Sequence, residues 1–343
     1  MTKIGLIGFF GAGAYSDDLI GYVTKQLLLG ERPGIQFDSN LTQKCARGTA
    51  PKLLNQLDLI IHAGGSLLGK CEHAPILDIH KWHSRVLTPM TIFGTGYRYE
   101  PDKEPLNRIR KQRLQILFKK AKVISVRGYR TTHHLKRNGI DTSKIISVGD
   151  PVMACDIKLK REPTHIMGNV RNLQSSEIKH VPNEKVQAFM AQAYDWLIDY
   201  YDLPLMLVSF RHKRKDNDIL GARRTQARMR HTDRVTICAP KNFMEAVQLM
   251  RHAKFWFGQR LHPTLFAGVQ GIPFIGLEYQ FEKMIDWVGT VDINNYIDTR
   301  HATLDLFVKK FYGVSKNMKT LKHNLPPKIK EIQAVAKRIV ELV

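Results

Sequence analysis

Short apolar runs alternate with helical patterns from one end of this chain to the other, and few architectures accept that order. In the first half the runs are Ile4–Gly8, Leu57–Ile61, Met90–Phe93, Val123–Val126 and Ile145–Val148. In the second half they are His165–Val170, Leu205–Phe210, Arg234–Cys238, Phe255–Phe257 and Phe274–Leu277. Between them lie helix patterns such as Asp17–Leu29, Tyr129–Asn138, Pro182–Tyr201 and Asn242–Ala253. Strands that alternate with helices build parallel sheets with right-handed crossovers. A polar, proline-bearing stretch at Lys158–Pro163 separates two such series. The sequence therefore predicts an α/β protein of two Rossmann-like, doubly wound domains, over residues 1–160 and 161–325. A C-terminal helix over 326–343 packs on either of them. A chain of 343 residues is long enough for two cores.

In open sheets of this kind, ligands bind beyond the carboxyl ends of the strands. The residues that follow each run are therefore informative. Glycine loops dominate the first half: Gly8-Phe9-Phe10-Gly11-Ala12-Gly13, His62-Ala63-Gly64-Gly65-Ser66 and Gly94-Thr95-Gly96. Cationic residues dominate the second: Arg171-Asn172, Arg211-His212 and Gln259-Arg260-Leu261-His262. That division suggests two facing sites across an interdomain cleft. The first glycine turn lacks the third glycine of a dinucleotide fingerprint, with Ser16 in its place, so a tight turn is the better reading. Ser16 then reads as an N-cap, with Asp17 and Asp18 in the first helical turn. Those two carboxylates either serve the helix end or hold neutral hydroxyls, as carboxylates do in sugar sites.

Phe255-Trp256-Phe257-Gly258-Gln259-Arg260-Leu261-His262-Pro263 carries the most chemistry. An apolar strand stops at a glycine, one cation and one imidazole follow, and Pro263 opens a helix over Thr264–Val269. A helix N-terminus suits an anion, so this spot can hold a phosphate or carboxylate and move a proton beside it. Arg127, at the end of its strand, either anchors an anion or pairs with a carboxylate. His62 precedes a glycine loop, while His133 and His134 fall among basic residues and read as surface. No metal-binding motif is present, and four scattered cysteines fit a reducing compartment.

The net charge is +22, concentrated in Arg108–Lys122 and Arg211–Arg234. Such a field attracts polyanions: an acidic saccharide, nucleic acid or an anionic membrane surface. The second stretch, with Lys213, Arg214 and Lys215, reads equally as a solvated loop or a polyanion contact. No apolar run is long enough to cross a bilayer, and the N-terminal apolar residues read as a buried strand rather than a leader. The expectation is a cytoplasmic protein, peripheral at most to the inner membrane face.

Several short motifs, in order, resemble the polysaccharide pyruvyl transferase family. They are Gly8-Phe9-Phe10-Gly11-Ala12-Gly13 with Asp17-Asp18, Gly64-Gly65-Ser66-Leu67-Leu68, Gly94-Thr95-Gly96, Ile124-Ser125-Val126-Arg127 and Val148-Gly149-Asp150-Pro151. The last block runs from Gly258 to His262 and continues through Gly271-Ile272-Pro273-Phe274-Ile275, Tyr279 and Lys283. The first loop departs from the family's usual Asn-x-Gly-Asp-Asp run, with Ala14 and Ser16 at the altered positions. The resemblance implies a fold similar to B-type glycosyltransferases. It implies phosphoenolpyruvate as donor, no cofactor, and a sugar of a polysaccharide, glycan or lipid-linked precursor as acceptor, joined as a pyruvate ketal. It implies that Arg127, Arg260, Leu261 and Lys283 bind the donor and that His262 is the acid/base. Asp17, Asp18, Gly65 and Ser66 would face the acceptor. Two other readings stay open: a nucleotide-sugar glycosyltransferase of similar fold, and a non-catalytic polyanion-binding protein. Nothing in the chain resembles an aromatic nucleic-acid platform.

Overall fold

The computed structural model describes residues 2–11, 13–38, 41, 50–69, 85–99, 105–173, 181–211, 217–279 and 282–343. The chain divides into two compact units. One comprises Met1–Ala12, Ile20–Cys155 and Pro326–Val343; the other comprises Gly13–Leu19 and Asp156–Leu325.

The first unit runs β1 (Lys3–Ile7), α1 (Tyr15–Glu31), β2 (Gln36–Asp38), α2 (Ala50–Leu54), β3 (Leu59–Ala63) and β4 (Leu68–Gly69). It continues through β5 (Met90–Thr95), β6 (Tyr97–Arg98), α3 (Arg108–Lys120), β7 (Ala121–Val126), α4 (Tyr129–Arg137) and β8 (Ile145–Ser147). The first turn of α1 belongs to the second unit. Six strands form a parallel sheet in the order β2-β1-β3-β5-β7-β8, and β4 pairs with β6 beside it. Every residue of β3 and β5 is buried. Central strands of a parallel sheet are covered on both faces, which explains their largely apolar character. His62 is one of these buried strand residues, 2% exposed, and reads as core. His134 corrects the expectation of a surface pair: it is buried and stacks on Tyr97 and Tyr99, at 5.5 and 4.1 Å between ring centres.

The second unit runs β9 (His165–Asn169), α5 (Asn183–Tyr201), β10 (Leu205–Val208), α6 (Asp218–Gln226), β11 (Val235–Cys238) and α7 (Phe243–Leu249). It continues through β12 (Ala253–Gly258), α8 (Leu261–Val269), β13 (Phe274–Glu278), α9 (Lys283–Thr290), β14 (Tyr296–Asp298) and α10 (Leu304–Val340). Its sheet is parallel, ordered β11-β10-β9-β12-β13-β14. The first strand of the unit thus lies between the second and the fourth, which is the doubly wound dinucleotide-fold order. Strand order reverses between β9 and β12, the position at which open sheets of this kind form a ligand crevice beyond the carboxyl ends of the strands.

α10 corrects the expected C-terminal helix. It begins at Leu304, continues through Pro326 and Pro327, and passes from the second unit to the first at Pro326. Each interior proline removes a backbone bond and costs about 3 kcal/mol. Burial on both sides offsets that: Phe307, Phe311, Val314, Leu321 and Leu325 before the prolines, Ile332, Val335, Ala336 and Ile339 after them.

Gly168 in β9 lies where strand and core leave no room. A Cβ there would stand 2.0 Å from the Phe257 carbonyl oxygen and 2.3 Å from the Tyr194 hydroxyl. Gly313, inside α10, has nothing within 4 Å of the same position. Gly168→Ala is expected to lower the melting temperature sharply or abolish soluble expression. Gly313→Ala should raise stability by about 0.5–1 kcal/mol in urea unfolding.

Candidate functional site

The second unit's crevice is built from the loops after β9, β10, β12 and β13. α8 starts at Leu261, two residues before the predicted opening at Pro263, and Arg260 is its N-cap. Pro263 still falls in the first turn, where its missing N–H costs nothing. His262 is therefore a helical residue, and it is 6% exposed. Thr264 fastens this turn: its hydroxyl donates to the Arg260 carbonyl at 2.9 Å and accepts from the Trp256 indole at 3.0 Å.

Arg260 is a buried cation with a committed partner. Its Nε and Nη2 donate to the two carboxylate oxygens of Asp218, at 2.7 and 2.6 Å. Asp218 opens α6 and also accepts the Phe210 N–H at 2.9 Å. Burial and the nearby Arg171 oppose the charge on Arg260, yet the Asp218 carboxylate outweighs both and holds the guanidinium above its usual range. The Arg260 N–H donates to Asn169 Oδ1 at 3.2 Å, and the Arg171 N–H donates to Gln259 Oε1 at 2.6 Å. The Arg171 guanidinium lies over the Tyr279 ring, 4.9 Å from its centre, and donates to its hydroxyl. The two guanidinium groups share this part of the fold with the carboxylates of Asp218 and Glu278, both buried.

The first turn of α1 completes this side. The Tyr15 N–H donates to the Phe210 carbonyl at 2.9 Å, and the Tyr15 hydroxyl donates to the Lys241 carbonyl at 2.7 Å. Helix α1 begins at Tyr15, so Ser16 lies inside the first turn and is not the expected N-cap. Asp17 and Asp18 remain in that turn, half-buried. Asp17 Oδ1 stands 3.9 Å from Nδ1 of His262. Lys283 begins α9, half-buried, after Glu282 in the left-handed region at φ 53°. The Glu278 carboxylate accepts the adjacent Met284 N–H at 2.6 Å.

The first unit holds a second buried arginine. Arg127, 1% exposed, donates from Nε to Asp150 at 2.9 Å and from Nη2 to the Gly65 carbonyl at 3.1 Å. Gly65 also accepts the Gly96 N–H at 2.7 Å. Gly64 and Gly65 adopt φ of 57° and 64°, conformations that favour glycine. Gly65 thus meets Arg127 directly, and Ser66 follows it. Of the two offers in the sequence for Arg127, the structure shows the carboxylate.

Sequence reasoning did not single out Asp218, Asn169, Arg171 or Gln259 as site residues, nor Asp150 as the partner of Arg127. Asp150 stands within a quoted motif, whereas Asp218 lies in a basic stretch and gives no local signal. That stretch is also corrected in part. Residues 218–226 form α6, Arg230 and His231 each bind Asp199 at 2.6 Å, and Arg234 binds Asp202 at 2.9 Å. Lys213, Arg214 and Lys215 lie outside the described residues. Among the described residues, no helix is long and apolar enough to cross a membrane, and no three His, Cys, Asp or Glu side chains group as metal ligands.

Removing one partner of a buried pair strands the other charge, at a cost of about 3–5 kcal/mol. Asp218→Asn and Asp150→Asn should each lose stability on that scale in urea denaturation. Loss within a few tenths of the wild type would show that the arginines find other partners.

The sequence matches the polysaccharide pyruvyl transferase family over residues 17–280. No curated protein matches it. Solved structures share its fold at low identity. S. aureus MnaA with UDP is 14% identical, covers 94% of this chain and 91% of its own, and has a TM-score of 0.55. UDP-GlcNAc 2-epimerase from Neisseria meningitidis, bound to UDP-GlcNAc, is 10% identical over 100% and 99% of the two chains, with a TM-score of 0.57. Anabaena HepE in complex with UDP-glucose is 10% identical over 99% of each, with a TM-score of 0.58. These likenesses establish the fold: two Rossmann-like domains of the B-type glycosyltransferase kind, as the strand order predicts. The family match makes the chain a transferase, a member of the polysaccharide pyruvyl transferase family.

Proposed function

We propose that the protein transfers pyruvate from phosphoenolpyruvate to two hydroxyls of a sugar, forming a ketal and releasing phosphate. The observation that carries this reading is His262 in the first turn of α8, with Asp17 on the Nδ1 side of its ring at 3.9 Å. That separation is longer than a hydrogen bond; in the proposed reaction the Asp17 carboxylate closes on Nδ1, and Nε2 is the nitrogen that exchanges protons with the substrates. The reaction adds a proton to the methylene carbon of the donor. Carbon–oxygen bonds form from the neighbouring carbon to both sugar hydroxyls, and its bond to the phosphate oxygen breaks. The two hydroxyl protons end on the new methyl group and the phosphate. No electrons change hands, so the scheme needs no redox cofactor.

The donor is a small trianion when fully ionised. The α8 N-terminus, with the Leu261 N–H in its first turn, offers it oriented donors. Arg260, bound to Asp218, and Arg171 place two guanidinium groups in the same unit. Lys283, at the head of α9, adds an ammonium in the same unit. Developing charge on the departing phosphate is stabilised by such fixed groups. Asp17 and Asp18 are also the groups in this unit suited to neutral sugar hydroxyls. In the first unit, the Arg127–Asp150 pair keeps the Gly64-Gly65-Ser66 loop in shape.

Phosphate release from phosphoenolpyruvate with a glycan acceptor is expected to fall about 10²–10⁴-fold in His262→Gln. Asp17→Asn should lower kcat with little change in the KM for phosphoenolpyruvate, because Asp17 does not hold the donor. Full activity in His262→Gln would remove the proposed role. In thermal-shift measurements phosphoenolpyruvate should stabilise the protein and sugar nucleotides should not. The reverse pattern would favour a nucleotide-sugar transferase, the chemistry suggested by the ligands in the fold's solved relatives.

A further inference from the structure

The basic concentration at Arg108–Lys122 takes no part in this chemistry, and it forms an unusual helix face. α3 carries Arg108, Arg110, Lys111, Arg113, Lys119 and Lys120 and no carboxylate. Its buried residues, Leu114, Leu117 and Phe118, pack into the first unit's core. At 3.6 residues per turn, Ile109 and Ile116 fall on the opposite face. They are 59% and 42% exposed. The same spacing puts Arg108 and Lys119 along one border of the isoleucines and Arg113 and Lys120 along the other. Leu87, 86% exposed, stands near the last turn, where Lys120 Nζ donates to the Val86 carbonyl at 3.3 Å.

A soluble polyanion needs only the cations of such a face, and water penalises the aliphatic groups between them. A bilayer surface uses both kinds. Phosphates of anionic lipids meet the lysines and arginines, and aliphatic side chains enter the boundary with the acyl chains. In the other basic stretch Arg230 and Arg234 are paired with carboxylates, and among its described residues one large aliphatic side chain, Leu220, is exposed rather than a bordered pair. We propose that the outer face of α3 docks the protein on an anionic phospholipid surface, with the helix lying along the membrane plane.

Co-sedimentation of the full chain with vesicles tests this without turnover, so it is independent of the proposed transfer reaction. Binding is expected to phosphatidylcholine vesicles that contain phosphatidylglycerol, and not to phosphatidylcholine alone. The double variant Arg108→Gln, Lys119→Gln should bind about 25-fold more weakly, at roughly five-fold per cation. The double variant Ile109→Ser, Ile116→Ser should lose about tenfold or more. Both should melt at the wild-type temperature, since all four side chains point away from the core. Absence of binding to the anionic vesicles would overturn the proposal, as would undiminished binding by the charge variant. Undiminished binding by the isoleucine variant would overturn it too, and would mark the face as a general polyanion surface for saccharide or nucleic acid.

Discussion

The bidentate pair between Arg260 and Asp218 governs the second unit's crevice. A guanidinium buried at the head of α8 is tolerable only because a carboxylate at the head of α6 meets it with two hydrogen bonds. The same carboxylate takes a backbone N–H from the loop after β10. Asn169 and Gln259 then tie the loops after β9 and β12 to each other, and Arg171 reaches Tyr279 after β13. Four strand ends are thereby held in one network. His262 inherits its position from that network, because it follows the anchored Arg260 by two residues on a helix whose first turn Thr264 locks.

The first unit uses the same device. Arg127 follows a strand, is buried, and pairs with an aspartate from a later loop. Its other hydrogen bond falls on the glycine turn after β3. In each unit a cation at a strand end is spent first on shaping a loop, and any field it offers a ligand comes after its carboxylate partner is counted. Counting arginines therefore overstates the charge a substrate meets. The two basic concentrations diverge for a related reason. Several cations of Arg211–Arg234 are absorbed by Asp199 and Asp202, which are far in sequence and near in space. On α3 the helix itself supplies no carboxylate, and its cations border exposed isoleucines.

Much of the fold was legible because apolar runs of strand length need cover on both faces, and only crossover helices supply it. The ends of helices were less legible. Proline in Pro326-Pro327 reads locally as a start, yet buried residues on both sides carry α10 through it. Proline at position 263 reads as the first helical residue, yet any position in a first turn spares the missing N–H. His134 looked exposed among basic neighbours, and two tyrosines from another segment bury it. Each of these misreadings has one cause: local chemistry states what a residue can do, and distant contacts select among the options.

The sequence by itself determined the two α/β units, the parallel sheets, the family and the chemical groups at the strand ends. These follow from periodicity and from short ordered motifs, which are local properties of the chain. Only the tertiary structure decided which cations are neutralised, that Asp17 comes to His262, and that the isoleucines of α3 face outward. Those outcomes depend on pairs of residues far apart along the chain, such as Arg260 and Asp218. No local pattern encodes such a pair, because it exists only once the sheets have brought their strand ends together.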